Sequence, residues 1–159
     1  MKTKKTPIVL ILDDVRSAHN VGSVFRTSDA FLIEKIYLCG ITPQPPHKEI
    51  RKTALGAYDS VEWEHNNNVE DCINSLIEKG YYIISIEQAE NATYLNDFKA
   101  PTDKKLAFVF GNEVKGVNQN IMNKSNECIE IPQHGTKHSF NISVSVGIVL
   151  WSVFEKIQS

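Results

Sequence analysis

Cysteine is scarce in this 159-residue chain: Cys39, Cys72 and Cys128 are odd in number, far apart, and outside any CxxC or Cys/His cluster. That argues against a disulfide framework and a zinc site, and reads as reduced thiols of a cytosolic protein, with no metal expected. Long apolar runs are also missing. "MKTKKTPIVLILDD" reaches only five apolar residues before Asp13 and Asp14, short of a signal-peptide core. "ISVSVGIVLWSVF" is too short to span a bilayer. The expected location is therefore the cytoplasm. Nor is there a surplus of positive charge: 17 Lys and Arg against 19 Asp and Glu leave a net charge of -2. Bulk attraction to nucleic acid is excluded, because such binding is driven by Lys and Arg neutralising phosphates. Only local patches remain for that purpose, at "MKTKK" and at "HKEIRK", His47 to Lys52.

What is present is an ordinary globular composition, 42% apolar and 23% charged. The length suits one domain, residues 1–159, with a sizeable core and no second unit. Short apolar runs rich in Val, Ile, Tyr and Phe occur at "PIVLILDD", "KIYLCG", "SVEWEH", "YYIISIEQ", "KLAFVFG" and "CIEIPQ". Mostly without alternation, they predict six strands of a parallel sheet buried on both faces. Between them lie segments with helical spacing, such as Val21, Val24 and Phe25, or Val69, Cys72, Ile73 and Leu76 ahead of Gly80. A last helix is expected from about Ile142 to Ile157. The predicted class is α/β, a six-stranded parallel sheet with helices on both faces. "ITPQPPHK" and the polar "EQAENATYLNDFKAPTDK" read as extended connections.

Ligands of open parallel sheets bind beyond the carboxyl ends of the strands. The loops expected there, "DDVRSAHN", "EQAENAT", "GNEVKG" and "PQHGTKHSFNIS", carry Asn, Ser, Glu, Arg and His in place of bland turn residues. "FVFGNEVKGV" invites a phosphate-loop reading, which fails. A Walker loop needs Lys and Ser or Thr directly after its last glycine, whereas Val117 and Asn118 follow Gly116. The dinucleotide fingerprint GxGxxG is also missing. Gly111 and Gly116 fit close backbone approach to a ligand that is not polyanionic, with Glu113 left for a ribose hydroxyl, an amine or a structural hydrogen bond.

Three segments in register, "NVGSVFRTSDAF", "FVFGNEVKGV" and "IPQHGTKHSFNISVSVGIVLW", together resemble the motifs of the SpoU/TrmH family of SPOUT RNA methyltransferases, over about residues 7–157. Asn20 and Arg26 match the first, and Gly111, Asn112, Glu113 and Gly116 the second. Ile131, Pro132, Ser139, Phe140, Asn141 and Ser143 match the third, with Phe140 where Leu is usual. The resemblance implies a carboxyl-terminal trefoil knot and methyl transfer from S-adenosylmethionine to a ribose 2'-hydroxyl of RNA. Transfer RNA is the preferred substrate. Ribosomal RNA, a base-nitrogen target and a catalytically silent knotted RNA-binding factor are the alternatives, with an unrelated flavodoxin-like binding domain outside the family.

By position, the resemblance assigns the cofactor to Glu87, Gln88, Gly111, Ile131, Gln133, Ser139 and Phe140. It assigns catalysis to Arg26, oriented with the ribose by Asn20, Glu113, Ser139 and Asn141. Asn20 or His19 could instead cap the first helix, and His134 or His138 could serve as a base. Arg26, Lys48, Arg51 and Lys52 are the candidate RNA contacts. The final helix, apolar almost all round, implies a homodimer, and no RNA-binding domain is expected before residue 7 or after 157.

Overall fold

A computed structural model describes residues 4–136 and 140–158. The chain runs β1 (Thr6–Asp13), α1 (Ala18–Ala30), β2 (Ile33–Cys39), α2 (Lys48–Ala54), β3 (Glu62–Asn66), α3 (Val69–Glu78), β4 (Tyr82–Ile86), β5 (Thr93–Tyr94), β6 (Leu106–Phe110), α4 (Gln119–Lys124), β7 (Glu127–Glu130) and α5 (Ile142–Gln158). The strands form one sheet in the order β3-β2-β1-β6-β4-β7-β5, with every pairing parallel.

Seven strands replace the expected six. The extra one, β5, lies in the polar connection after β4 and pairs with β7 through Thr93–Ile129 and Tyr94–Glu130. Two residues are too few for any periodicity, and register with a neighbour is visible only in three dimensions.

The uninterrupted apolar run of β1 matches its central place between β2 and β6. Ile8, Leu10 and Leu12 face one layer of core, and Val9 and Ile11 the other. The first layer contains Val21, Val24 and Phe25 of α1 and Val146, Val149, Leu150 and Val153 of α5. The second contains Cys72, Ile73 and Leu76 of α3 and Ile121 of α4. Each helix begins where a side chain satisfies an orphan N–H, Ser17 for α1 and Asn68 for α3. Ser17, not His19 or Asn20, is the cap of α1: its Oγ accepts the Asn20 N–H at 3.1 Å, which leaves Asn20 inside the first turn.

Gly22 sets the distance between α1 and α2. A Cβ there would overlap Thr53 Oγ1 and come within 2.6 Å of Ile50 O. The bare glycine lets Thr53 Oγ1 donate to His19 O at 2.9 Å, locking the short helix that bears Lys48, Arg51 and Lys52 onto α1. Strand order reverses between β1 and β6, where ligand sites in open α/β sheets concentrate. Among the described residues, no helix is long and apolar enough to cross a membrane.

Candidate active site

Beyond the carboxyl ends of β4, β6 and β7 lies a cleft of about 290 Å³. Glu87 and Gln88 enter it from the end of β4, and residues 111–116 from the end of β6. Ile131 and Gln133 come from beyond β7, and Phe140 from just before α5. Six of the seven residues expected around the cofactor thus share one cleft: Glu87, Gln88, Gly111, Ile131, Gln133 and Phe140. The seventh, Ser139, lies outside the described residues, as does His138. His134 is exposed and absent from the cleft wall.

The polar groups of the 111–116 loop are tied into hydrogen bonds within the loop and to its neighbours. Asn112 and Gly116 exchange backbone hydrogen bonds at 3.2 and 2.9 Å. Asn112 Oδ1 accepts from the N–H groups of Val114 and Lys115, and its Nδ2 donates to Asp14 O at 2.7 Å. Glu87 braces the far side, its Oε2 accepting the Val117 N–H at 2.8 Å and its Oε1 the Gln88 N–H at 2.9 Å. Gly116 has φ +70°, and a Cβ there would overlap the Glu87 carboxylate. The glycines therefore serve close approach within the protein, Gly116 against the Glu87 carboxylate and Gly111 against the Gly116 backbone, and the Glu87 side chain holds the loop.

Glu113 has a structural occupation. Its carboxylate accepts the N–H groups of Arg16 and Ser17, each at 3.0 Å, at the start of α1. Partial desolvation opposes its charge, but these N–H donors and the nearby Arg16 charge outweigh it and hold the carboxyl below its ordinary range. The second motif is thereby fastened to the helix carrying the first. Asn141 is likewise a cap: its Oδ1 accepts from Ser143 N at 2.9 Å and Ser143 Oγ at 2.6 Å at the start of α5.

The structure does not bring Asn20 or Arg26 to the cleft of their own chain. Both ride on α1, outside its wall. Arg26 is exposed and makes no hydrogen bond or ion pair to any described residue. Lys48, Arg51 and Lys52 are exposed on α2, where Lys52 pairs with Glu49 at 3.5 Å.

The sequence reading passed over Asp14 and Thr42, which pin the loop after β1. Thr42 Oγ1 accepts the Val15 N–H at 3.0 Å, and Asp14 Oδ1 accepts the Ile41 N–H at 3.0 Å. Only the reversal "DD" at the end of an apolar run hinted at them. Cys39 and Cys72 are buried and Cys128 is half-buried, all as free thiols.

Comparison with known proteins agrees with this geometry. The SpoU rRNA Methylase family matches residues 7–151. A Staphylococcus haemolyticus protein named for the TrmH family of tRNA/rRNA methyltransferases is 32% identical over 148 residues, 93% of this chain and 58% of its own length. The chain thus spans little more than half of that relative. Among solved structures, an AdoMet-bound rRNA methyltransferase from Sinorhizobium meliloti superposes with a TM-score of 0.89 at 24% identity, over 98% of this chain and 59% of its own. A structure described for 2-OH methylation of C/U34 on tRNA superposes with a TM-score of 0.84 at 18% identity, over 96% of this chain and 99% of its own. With its parallel sheet, its cleft built from the second and third motifs, and a family match over nearly its whole length, the chain belongs to the SpoU rRNA methylase family.

Proposed function

We propose that this chain is a cytoplasmic, homodimeric enzyme that methylates a ribose 2'-hydroxyl of RNA, preferably transfer RNA, with S-adenosylmethionine as donor. The observation that carries this reading is the cleft, in which residues of the second and third motifs meet under a loop bolted to the helix of the first.

The cleft suits the donor chemically. Ile86, Phe110, Ile131 and Ile142 offer apolar walls for a flat base, Gln88 and Gln133 offer amides for its edge, and Glu87 and Glu113 give a negative setting for a sulfonium. No phosphate cradle is needed. When bound, S-adenosylmethionine supplies an electrophilic methyl group.

The protein's task is then to hold the ribose in line and favour an alkoxide. Arg26 grips the phosphate beside the target ribose and stabilises the developing negative charge. A guanidinium with a pKa above about 12 is poorly suited to remove the proton itself. Asn20 helps to orient the ribose and Glu113 holds α1 in place, while Asn141 starts α5; Ser139 belongs to the cofactor set by its motif position. Lys48, Arg51 and Lys52 bind neighbouring phosphates.

Because Arg26 stands away from its own cleft, each site takes Arg26 from the partner chain. Exposed Val144 and Trp151 on α5, the latter 58% exposed and tilted against Phe31 at the end of α1 with ring centroids 6.4 Å apart, provide the dimer surface. The carboxyl-terminal segment around this cleft is the place of the proposed trefoil knot. The preference for transfer RNA is supported by the solved chain of nearly equal length described for tRNA 2-OH methylation.

The test is to incubate purified protein with labelled S-adenosylmethionine and unmodified transfer or ribosomal RNA, then analyse nucleosides. Label in a 2'-O-methylated nucleoside from transfer RNA is expected. Label only from ribosomal RNA reassigns the substrate, and label on a base overturns the ribose assignment. Donor binding with no transfer to either pool favours a silent RNA-binding factor.

A further inference from the structure

The 111–116 loop also lines a second cavity of about 470 Å³, whose remaining wall, from Asp13, Asp14, Arg16, Ile41 and Asn118, lies outside the three motifs. At its wall stands Asp13, the last residue of β1, only 8% exposed. Its carboxylate accepts no hydrogen bond from any described residue, and Asp14 beside it adds like charge. No Asp13 oxygen is fully enclosed, so the carboxylate opens onto the cavity and can take donors from a ligand there.

The rest of the lining indicates what that is. Ile41 and Val114 are 65% and 85% exposed, and such apolar side chains at a pocket mouth suit the faces of a flat ring. Arg16 and Lys115 line the same cavity, and neither forms a salt bridge among the described residues. Asn118 spends its Oδ1 on the Asn120 N–H at 2.8 Å, leaving its amide NH2 as a donor.

We propose that this cavity receives an unpaired nucleobase of the RNA substrate and that Asp13 reads it, with guanine the best fit. This rests on the reading that the chain binds RNA. Guanine presents two adjacent N–H donors, N1 and N2, to the two carboxylate oxygens, and its O6 accepts from an amide. Ile41 and Val114 cover the ring, and Arg16 and Lys115 take the flanking phosphates. Splayed single-stranded bases are read in this way, by side-chain hydrogen bonds to their exposed edges. Since the 111–116 loop also forms a wall of the cofactor cleft, the base and the methyl donor meet two faces of one loop.

The test uses magnesium-free fluorescence anisotropy with labelled hexauridylate and hexamers carrying one G, A or C in the same background. The wild-type protein should bind the G hexamer about tenfold more tightly than hexauridylate. Asp13→Asn should reduce that preference to within about twofold while donor affinity, measured by calorimetry, is unchanged. Ile41→Asp, an exposed change outside the cofactor cleft, should weaken the G hexamer and spare the donor, and it carries the test if Asp13→Asn misfolds. Equal binding of all four hexamers, or a G preference that survives Asp13→Asn, overturns the pocket. So does a magnesium titration that saturates the wild type but not Asp13→Asn without any base preference, which marks a cation site. Methyl transfer to RNA without a hexamer preference removes this pocket alone; no transfer and no hexamer binding removes the RNA reading with it.

Discussion

Glu113 Oε2 accepts the backbone N–H of Ser17 at 3.0 Å, a bond between residues 96 apart in sequence that ties the loop after β6 to the amino end of α1. A carboxylate at a helix amino terminus meets orphan N–H donors and the positive end of the helix dipole. Because Glu113 is exposed, water screens the charge, and Glu113→Gln should cost no more than about 1 kcal/mol at pH 7. The folded-state carboxyl lies below its unfolded value, so the contribution is complete above the unfolded pKa and is lost as pH falls through the folded one. Urea denaturation at pH 7 and in acid should show the difference between wild type and variant closing as pH falls. Transfer should suffer more than donor affinity, because α1 carries Arg26.

Gly22→Ala places a methyl group against Thr53 and the Ile50 carbonyl. Overpacking of this kind costs about 1–3 kcal/mol, readable as a lower urea midpoint. Displacing α2 should also weaken RNA binding with little change in donor affinity.

Replacing Lys48, Arg51 and Lys52 by Ala tests the basic face directly. If each meets one phosphate, the slope of log affinity against log salt should flatten by about 2–3. An unchanged slope would place the RNA elsewhere.

Gly116→Ala combines a left-handed backbone position with an overlap against Glu87. Together these cost about 1–3 kcal/mol, and the loop must shift to relieve them. Donor affinity by calorimetry should fall by at least about tenfold, since the moving loop is a wall of the cleft.

Arg26→Ala should keep donor affinity and lose transfer. Mixing Arg26→Ala with Gly116→Ala chains supplies the sharper test of a shared site: exchange of subunits creates one site with an intact cleft and an intact Arg26, so activity returns. No recovery after verified exchange, or a monomer at micromolar concentration in sedimentation equilibrium, contradicts the shared site.

Asp13 gives a pH effect of the opposite sign to Glu113. Burial first, and the Asp14 charge second, push its carboxyl up from 3.8 to about 6. Between those values the folded state holds more protons than the unfolded one, so this group's contribution to stability falls as pH rises from about 4 to about 6. Asp13→Asn should therefore raise the unfolding temperature at pH 7.5, a gain of about 1 kcal/mol once solvent screening is counted, fading below about pH 4. An unchanged or lower Tm at pH 7.5 would contradict a strained carboxylate.

The elements legible in the sequence were those with strong local signals. The run Ile8–Leu12 announced a strand buried on both faces, and Val21, Val24 and Phe25 announced one side of a helix; both are found in the core. The loops that hold the cleft residues from Glu87 to Phe140 were marked by their strand-end positions and polar composition, but the individual cofactor residues in them were legible only through motif resemblance, because they come from three separate loops. β5 was missed because two residues carry no period. The cap of α1 was placed two or three residues late because His19 and Asn20 are as polar as Ser17, and only the observed hydrogen bond to the Asn20 N–H separates them.

By itself, then, the sequence determined the class of fold, the strand and helix faces and the motif residues, because burial periodicity and residue chemistry are local properties. Tertiary structure alone decided their occupations: Glu113 became a helix anchor, Gly22 a crossing point, Gly116 a space for Glu87, and Asp13 an unpartnered carboxylate facing a second cavity. Each depends on what lies opposite across tens of residues of chain, and hydrogen bonding and steric contact are settled by distances that no local pattern encodes.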